Sequence, residues 1–466
     1  MVRAAVCGTE GRQFESALVY QKMAKEKKIK PSKETPSGFI DRKEKELLIR
    51  DFVISNIKEV MIKYGFQYLE TPSFEYTDSI GKFLPDKERP DQGVFSFKDE
   101  NNWLSLRYDL TAPLARYVAK NFLEIPKPFK RYQLGTVWRN EKPGPGRFRE
   151  FLQFDADYVG TKNLQADAEL CILISEILEK CGLSQEDYTI KISSRKFTEE
   201  LFNEIKINSA DQIGIILRAL DKIDRLGWEE VKKLLGKGRE DKSGDYTKGA
   251  NLNENQILVI DKKIQDKDSK TDDVNQIIKI FEAYEFSNYT FDPSVIRGLE
   301  YYTGPIFEVN LNFEIKNSKG KEVQFGSIGG GGRYDNLVNN FGNFECAATG
   351  VSIGVDRLVY ALMQKNKFNI KSIKPVVICV FDKNKIKSYV DILKNLRNLG
   401  ISAEIYPGEG NLKKQMQYAN KIGSPAVILY GENEFKLGKA TLRNLKSGEE
   451  ISTEIKNLSN EIKKIL

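Results

Sequence analysis

Arg297, Gly298, Leu299, Glu300, Tyr301, Tyr302, Thr303 and Gly304 follow one another between Phe291-Asp292-Pro293-Ser294 and the apolar Pro305-Ile306-Phe307-Glu308-Val309. A segment that only packs into a sheet has no need of a cation, two adjacent tyrosines and two glycines. A pocket for a small, planar, polar ligand does. A guanidinium grips an anionic group, and phenolic hydroxyls supply hydrogen bonds. Residues 327–335, Ser-Ile-Gly-Gly-Gly-Gly-Arg-Tyr-Asp, and 350–358, Gly-Val-Ser-Ile-Gly-Val-Asp-Arg-Leu, again set Arg beside Gly at the end of an apolar segment.

A second cluster lies upstream. Arg139 and Arg147 bracket the loop Asn140-Glu141-Lys142-Pro143-Gly144-Pro145-Gly146. Two arginines at the ends of a glycine-rich hairpin make a clamp for a polyphosphate, because Arg stays charged and bonds phosphate oxygens in pairs. The competing reading is a basic surface hairpin. Arg357 adds a cation at a helix start, where it faces a terminal phosphate or simply solvent. Gly329–Gly332 permits close backbone approach to a ligand, but it has neither the Gly-Lys-Ser/Thr ending of a P-loop nor a dinucleotide fingerprint. Asp109 and Thr111 offer acceptors for an ammonium group, although Asp109 also reads as a helix cap. Gln153 and Asp157 are four apart in a strand, so they share one face with Phe151 and Asp155.

Composition restricts the chemistry further. The 466 residues contain no histidine, which excludes a Ser-His-Asp triad, an imidazole base and His-ligated metal. What remains is Arg, carboxylate, Tyr, Lys and backbone, suited to reactions governed by positioning and charge stabilisation, such as transfer at phosphorus. Cys7, Cys171, Cys181, Cys346 and Cys379 are scattered and never spaced as a zinc cluster, so a reducing compartment, the cytoplasm, is expected. No zinc is expected, nor any metal held by protein His or Cys. A charged fraction of 30% and a net charge of +7 describe a globular chain that tolerates nucleic acid without requiring it. No apolar run reaches the roughly 20 residues of a membrane span, and the first residues lack the apolar stretch of a secretory signal.

Several elements must hold these groups. Residues 42–63 alternate as an amphipathic helix that ends at Tyr64-Gly65, and 66–72 form a strand closed by Pro72, suiting an edge or a dimer interface. Strands are expected at 93–98 and 103–107, with a helix over 112–120. Two long strands, 130–138 and 148–159, flank the Arg139–Arg147 loop; helix 165–182 and strand 187–193 follow. The polar, Lys/Asp/Asn-rich stretch 205–290 reads as an inserted helical subdomain between two halves of one catalytic sheet. Strands return at 305–313 and 322–328, and a helix starts near Gly354. Beyond residue 373 strand and helix alternate, ending in a final strand and helix, as in a small independent α/β domain. The lysine-rich 1–35 reads as a solvated tail, 36–372 as the catalytic domain and 373–466 as a separate module.

Taken in order, RGLEYYTGPIFE (297–308), GGGGRYDNLV (329–338), LRYDLTAPLARY (106–117) and TVWRNEKPGPGRFREFLQFDAD (136–157) resemble the histidyl-tRNA synthetase family of class II aminoacyl-tRNA synthetases. Residues 406–434 look like that family's anticodon-binding domain. The resemblance implies an α/β (α+β) fold, with an antiparallel sheet flanked by helices, a helical insertion and a small C-terminal α/β domain. It implies a homodimer, with ATP and Mg2+, L-histidine and tRNA(His) as partners and no organic cofactor.

Carried over by residue, Arg139 would bind the ATP α-phosphate and the amino acid carboxylate, with Glu141 near adenine and Arg147 and Arg357 on the outer phosphates. Asp109, Thr111 and Gln153 would take the ammonium and carboxylate end of histidine. Asp157 and Tyr302 would bond the two imidazole nitrogens, with Tyr301 and Tyr334 completing the pocket. Arg297 would be the catalytic cation. Asp stands at 109 and 157 where other branches carry Glu, and Leu152 where many relatives have His. The alternative is the non-catalytic relative that serves as regulatory subunit of ATP phosphoribosyltransferase. That relative lacks the C-terminal domain and usually part of the arginine set, both of which this sequence has.

Overall fold

A computed structural model describes residues 32–81, 93–144, 146–240, 244–296, 302–316, 320–342, 344–365 and 372–466. The lysine-rich start, Arg297–Tyr301 and Pro145 lie outside the described residues. The chain divides into two compact units after residue 368.

The first unit is built on an eight-stranded sheet. Its strands, in chain order, are β1 (Gln67–Tyr68), β2 (Phe129–Trp138), β3 (Glu150–Val159), β4 (Tyr188–Ser194), β5 (Tyr289–Phe291), β6 (Pro305–Leu311), β7 (Ser327–Arg333) and β8 (Ala348–Gly354). They lie side by side as β1-β2-β3-β8-β7-β6-β4-β5. Every pairing is antiparallel except at the two edges, where β1 joins β2 and β5 joins β4 in parallel. The run 66–72 gives only a two-residue edge strand.

Pairing register makes the two faces of this sheet chemically opposite. One row across the strands reads Leu134, Phe154, Ile353, Gly329, Val309 and Ile190. That face is covered by α1 (Glu44–Lys63), α3 (Gln165–Lys180) and α5 (Val355–Gln364). Helix α1 buries Ile49, Val53, Ile57, Val60 and Met61, the stripe its three-and-four spacing dictates. It stops as the sequence expects: Gly65 takes a φ of +71°, its N–H donates to Ile62 O, and Phe66 N–H donates to Met61 O. Those two bonds form a Schellman stop. Asp356 of α5 pins the layers, since its Oδ2 accepts from Leu152 N at 2.8 Å and Arg42 Nη2 at 2.6 Å.

The glycine run 329–332 is the middle of β7. A β-carbon on Gly331 would sit 2.0 Å from Gly350 O, and one on Gly330 2.8 Å from Phe307 O. Neighbouring strands therefore fill the space a side chain would need.

The polar stretch also resolves differently from its composition. Helices from Ala210 to Gln265 share a core of Leu217, Leu220, Val231, Leu235 and Ile260 with Leu201 and Phe202 of the preceding helix. Helix α4 (Asp272–Ala283) instead buries Val274, Ile277 and Phe281 and packs on α3 and β4, and Tyr289–Phe291 joins the main sheet as β5. Three apolar residues at helical spacing outweigh the polar surroundings. A separate three-stranded sheet, Phe74–Tyr76, Ser96–Asp99 and Asn102–Leu106, leaves Phe74, Tyr76, Phe97 and Trp103 exposed.

In the second unit, Ala403–Ile405, Val376–Cys379 and Ala426–Leu429 run parallel, and an antiparallel hairpin, Lys439–Asn444 with Glu450–Glu454, completes five strands. The sequence reading has one closing strand where the structure has this pair. Val376, Val377, Ile378 and Cys379 are all fully buried, because helices cover both faces of the parallel strands.

Candidate active site

The face of the main sheet opposite α1, α3 and α5 is polar. Its rows pair Arg131 with Asp157, Gly350 and Gly332; Gln133 with Asp155, Ser352, Gly330 and Glu308; and Gly135 with Gln153 and Gly354. Most charged residues of this floor lie on β2 and β3, with Glu308 on β6, while β7 and β8 contribute Gly330, Gly332, Gly350 and Gly354 beside Ser352, so much of its far side is bare backbone.

Asp157 is fixed from two sides. Arg131 Nη2 lies 3.0 Å from its Oδ2, and the Tyr334 hydroxyl donates a short hydrogen bond to its Oδ1. All three are buried, Arg131 completely. Arg131 Nη2 also donates to Leu110 O at 2.9 Å, joining the floor to the start of α2 (Thr111–Lys120). Burial pushes the Asp157 carboxyl upward, opposed by Arg131 and by the Tyr334 bond. The Tyr334 hydroxyl is held well above its ordinary value, first by burial and then by the Asp157 charge. Arg131 and Tyr334 take at most two of the roughly four lone-pair sites of the carboxylate, which keeps further capacity for a ligand N–H. Gly350 is needed beneath it: a β-carbon there would lie 2.0 Å from Asp157 Oδ1. We expect Gly350→Ala to displace Asp157, costing about 1–3 kcal/mol and most of the affinity for a ligand seated on that carboxylate. Thermal melting and a ligand titration read the two effects separately.

Next in the row, Gln153 is an amide bridge. Its Oε1 accepts from Arg139 Nη2 at 3.3 Å, and its Nε2 donates to Asp155 Oδ1 at 2.8 Å. Thr111 Oγ1 donates to Asp155 Oδ2 at 3.4 Å. Arg139 leaves the end of β2 against the rings of Tyr108, at 4.5 Å, and Phe151, at 5.2 Å, with Nε donating to Tyr108 O at 3.2 Å. The Tyr108 hydroxyl donates to Glu141 at 2.8 Å, which ties the exposed Glu141 to the root of Arg139. Asp109 does cap α2, since Oδ1 accepts from Thr111 N at 3.1 Å and Ala112 N at 2.9 Å. Its carboxyl is raised by burial and lowered by those N–H groups and by Arg139.

The outer arginines behave differently. Arg147 is exposed, and its main chain pairs with Gly144 across the loop. Arg357 turns back toward the chain: Nε donates to Ser327 O at 2.6 Å, Nη2 donates to Phe325 O, and the guanidinium covers the Phe325 ring at 4.2 Å. Tyr302 is half-buried beside β7, where a β-carbon on Gly332 would lie 3.0 Å from its ring. Arg297 and Tyr301 lie outside the described residues.

So β2, β3 and the start of α2 gather Asp109, Thr111, Arg139, Gln153 and Asp157, with Tyr334 beneath. Arg131 and Asp155 belong to the same cluster and are absent from the set read from sequence. Asp155 was legible as a neighbour of Gln153 on one face. For Arg131 the signal is a charged residue at an inward position of KRYQLGTVW, ambiguous until the pairing of β2 with β3 is known.

An antiparallel sheet with helices behind it and a cation-bearing polar floor in front defines the catalytic domain of a class II aminoacyl-tRNA synthetase. The comparisons narrow the class. The histidyl-tRNA synthetase family profile matches residues 38–358, and the profile of an anticodon binding domain matches 374–465. The histidine–tRNA ligase of Bartonella quintana (strain Toulouse) is 45% identical over 460 residues, 92% of each chain. That of Rhizobium meliloti (strain 1021) is 45% identical over 451 residues, 91% of this chain and 90% of the relative. The crystal structure of histidyl-tRNA synthetase from Nostoc sp. PCC 7120 superposes with a TM-score of 0.68 at 26% identity, over 94% of this chain and all of that one. The chain belongs to the histidyl-tRNA synthetase family.

Proposed function

We infer that the protein is a histidine–tRNA ligase, which activates L-histidine with ATP and passes the histidyl group to the 3′ end of tRNA(His). The observation that carries this reading is the register aligning Arg139, Gln153 and Asp157 on one floor, with Asp157 anchored by Tyr334. An amino acid with an imidazole side chain needs a cation for its carboxylate, acceptors for its ammonium and a charged acceptor for a ring N–H. This floor supplies them in that order. A pocket whose buried groups expect these bonds rejects side chains that leave them unpaired.

In activation, a histidine carboxylate oxygen attacks the α-phosphorus of ATP and pyrophosphate leaves. Arg139 holds the carboxylate and the α-phosphate together, so the reaction proceeds from a positioned pair. Arg297 neutralises charge growing on the α-phosphate, and Arg147 and Arg357 steady the outer phosphates. For Arg357 this requires giving up its carbonyl partners Phe325 and Ser327. Glu141 faces the adenine, and Tyr301 and Tyr302 close the imidazole pocket. ATP enters as its Mg2+ complex, the ion resting on phosphate oxygens. No step moves a proton through an imidazole of the protein.

The unit 373–466 takes the anticodon end of tRNA(His). The exposed aromatic sheet of Phe74, Tyr76, Phe97 and Trp103 supports a homodimer, since clustered exposed aromatics mark interaction surfaces. The cytoplasm is the proposed compartment. No helix among the described residues is long and apolar enough to cross a membrane, and Cys171, Cys181, Cys346 and Cys379 are unpaired.

Histidine-dependent exchange of pyrophosphate into ATP tests the reading; no exchange from purified chain would reject it. Removing 373–466 is expected to leave exchange within a few-fold while tRNA charging falls by at least about 100-fold, equivalent to roughly 2.7 kcal/mol of tRNA binding. Equal loss of both activities would refute a separate anticodon module.

A further inference from the structure

We propose that Arg42, at the end of a strap (residues 36–42) that precedes α1, is a positioning residue for the outer phosphates of ATP. The inference rests on the reading above, which gives those phosphates to Arg147 and Arg357, and it adds the group that holds their two supports together. Arg147 stands on the loop between β2 and β3, and Arg357 is the third residue of α5. The two are distant in sequence and ride on different elements. One guanidinium joins those elements. Arg42 Nη2 donates to the carbonyl of Glu150, the first residue of β3, at 3.2 Å. The same nitrogen donates at 2.6 Å to Oδ2 of Asp356, the residue directly before Arg357. That carboxylate oxygen also accepts from Leu152 N at 2.8 Å, so the strap, β3 and α5 meet on one atom. The Arg42 and Asp356 side chains are 13% and 1% exposed, so little water competes for the bond.

The rest of the strap grips the exit of the same loop. Gly38, Phe39 and Arg42 turn inward, while Ser37, Ile40 and Asp41 are exposed. Gly38 O accepts from Arg149 N at 2.8 Å, and Arg149 O accepts from Arg139 N at 2.9 Å. Arg149 Nε donates to Glu141 O at 3.0 Å, inside the loop. Gly38 has a φ of +85°, and a β-carbon there would lie 2.7 Å from Arg149 Cγ, so a side chain at 38 would lift the strap away. Phe39 packs on Phe95 with ring centroids 5.9 Å apart. Arg42 extends this grip from β3 to α5. Two cations on elements that move independently lose freedom when both close on one polyphosphate, and a frame fixed beforehand removes that cost. Fastening the strap to the sheet would require Glu150 O alone; the bond to Asp356 is what sets β3 against the start of α5.

The test compares binding of ATP with binding of AMP, which keeps the adenine, ribose and α-phosphate and lacks the two outer phosphates. In the full chain, Arg42→Leu should weaken ATP binding by about tenfold while AMP and L-histidine stay within about twofold, because the ordering cost returns only where the outer phosphates are gripped. Arg42→Lys should recover part of the difference, since an ammonium keeps the charge opposite Asp356 and loses the planar fork. Arg42→Leu leaves Asp356 buried without its cation, so Arg42→Leu combined with Asp356→Asn is measured beside it. The amide oxygen still accepts from Leu152 N, and the same loss confined to ATP is expected. Equal weakening of ATP and AMP would assign Arg42 a purely structural role and overturn the proposal, as would undiminished ATP affinity in both variants. An unaltered chain that binds ATP no better than AMP is a different result: it removes the outer-phosphate reading of Arg147 and Arg357, and this assignment with it.

Discussion

Arg297→Ala is expected to lower histidine-dependent ATP–pyrophosphate exchange by at least about 10²–10³-fold, the cost of removing one preorganised charge from a developing anion, with the melting temperature unchanged. As the carboxylate oxygen closes on the α-phosphorus, negative charge concentrates on the non-bridging oxygens of that phosphate. Only interactions stronger at that moment than in the ground state accelerate the step. This chain has no histidine, so no imidazole can share the load, and the proposed role of Arg297 is to supply a fixed guanidinium there. Arg297→Lys should recover part of the rate, because an ammonium keeps the charge and loses the paired geometry. The loss should fall on kcat more than on the KM for histidine. Near-normal exchange from Arg297→Ala would falsify its role as the catalytic cation.

Arg131→Leu is the second large effect, and it separates stability from chemistry. Arg131 is fully buried, with Asp157 at 3.0 Å. Removing one partner of a buried ion pair costs about 3–5 kcal/mol, because the other charge stays behind without compensation. Burial already raises the Asp157 carboxyl, and Arg131 is the largest influence pulling it down. Without Arg131 the folded-state value rises further above the unfolded one. An acid raised in this way binds more protons when folded, so the variant loses stability as pH rises past the unfolded value of roughly 3.9. Its deficit should therefore be smaller at pH 5 than at pH 8. Adding Asp157→Asn removes the stranded charge, and the double variant should regain stability while remaining unable to bind histidine. Denaturant unfolding at the two pH values checks the sign; a deficit that grows on acidification would exclude the ion pair as its source.

These two residues also show how differently parts of the site are legible. Arg297 stands in a segment whose composition has no packing rationale, and the resemblance of the ordered motifs around it is what proposes its role. Arg131 stands in an alternating strand, where one more charged residue at an inward position looks like an ordinary edge contact. Only the pairing of β2 with β3 sets it opposite Asp157. The capping role of Asp109 was local enough to be read from its position before α2, and Gln153 and Asp157 share a face by the two-residue period of a strand.

Other features needed neighbours far away in sequence. Glycine is a poor strand former, so nothing in Gly329–Gly332 itself announces a strand; it is one because β6 and β8 close in on both sides. Helix α4 reads as part of a polar insertion until Val274, Ile277 and Phe281 find α3 and β4. By itself the sequence determined the helices with their stops, the long strands, the cation-rich motifs and the absence of imidazole, because each depends on residues within a few positions. The tertiary structure alone decided which strands pair and in what register. From that follow the glycine-rich part of the floor, the locking of Asp157 and the burial of Asp155 beside it, since cross-strand distances and burial are not properties of any single segment.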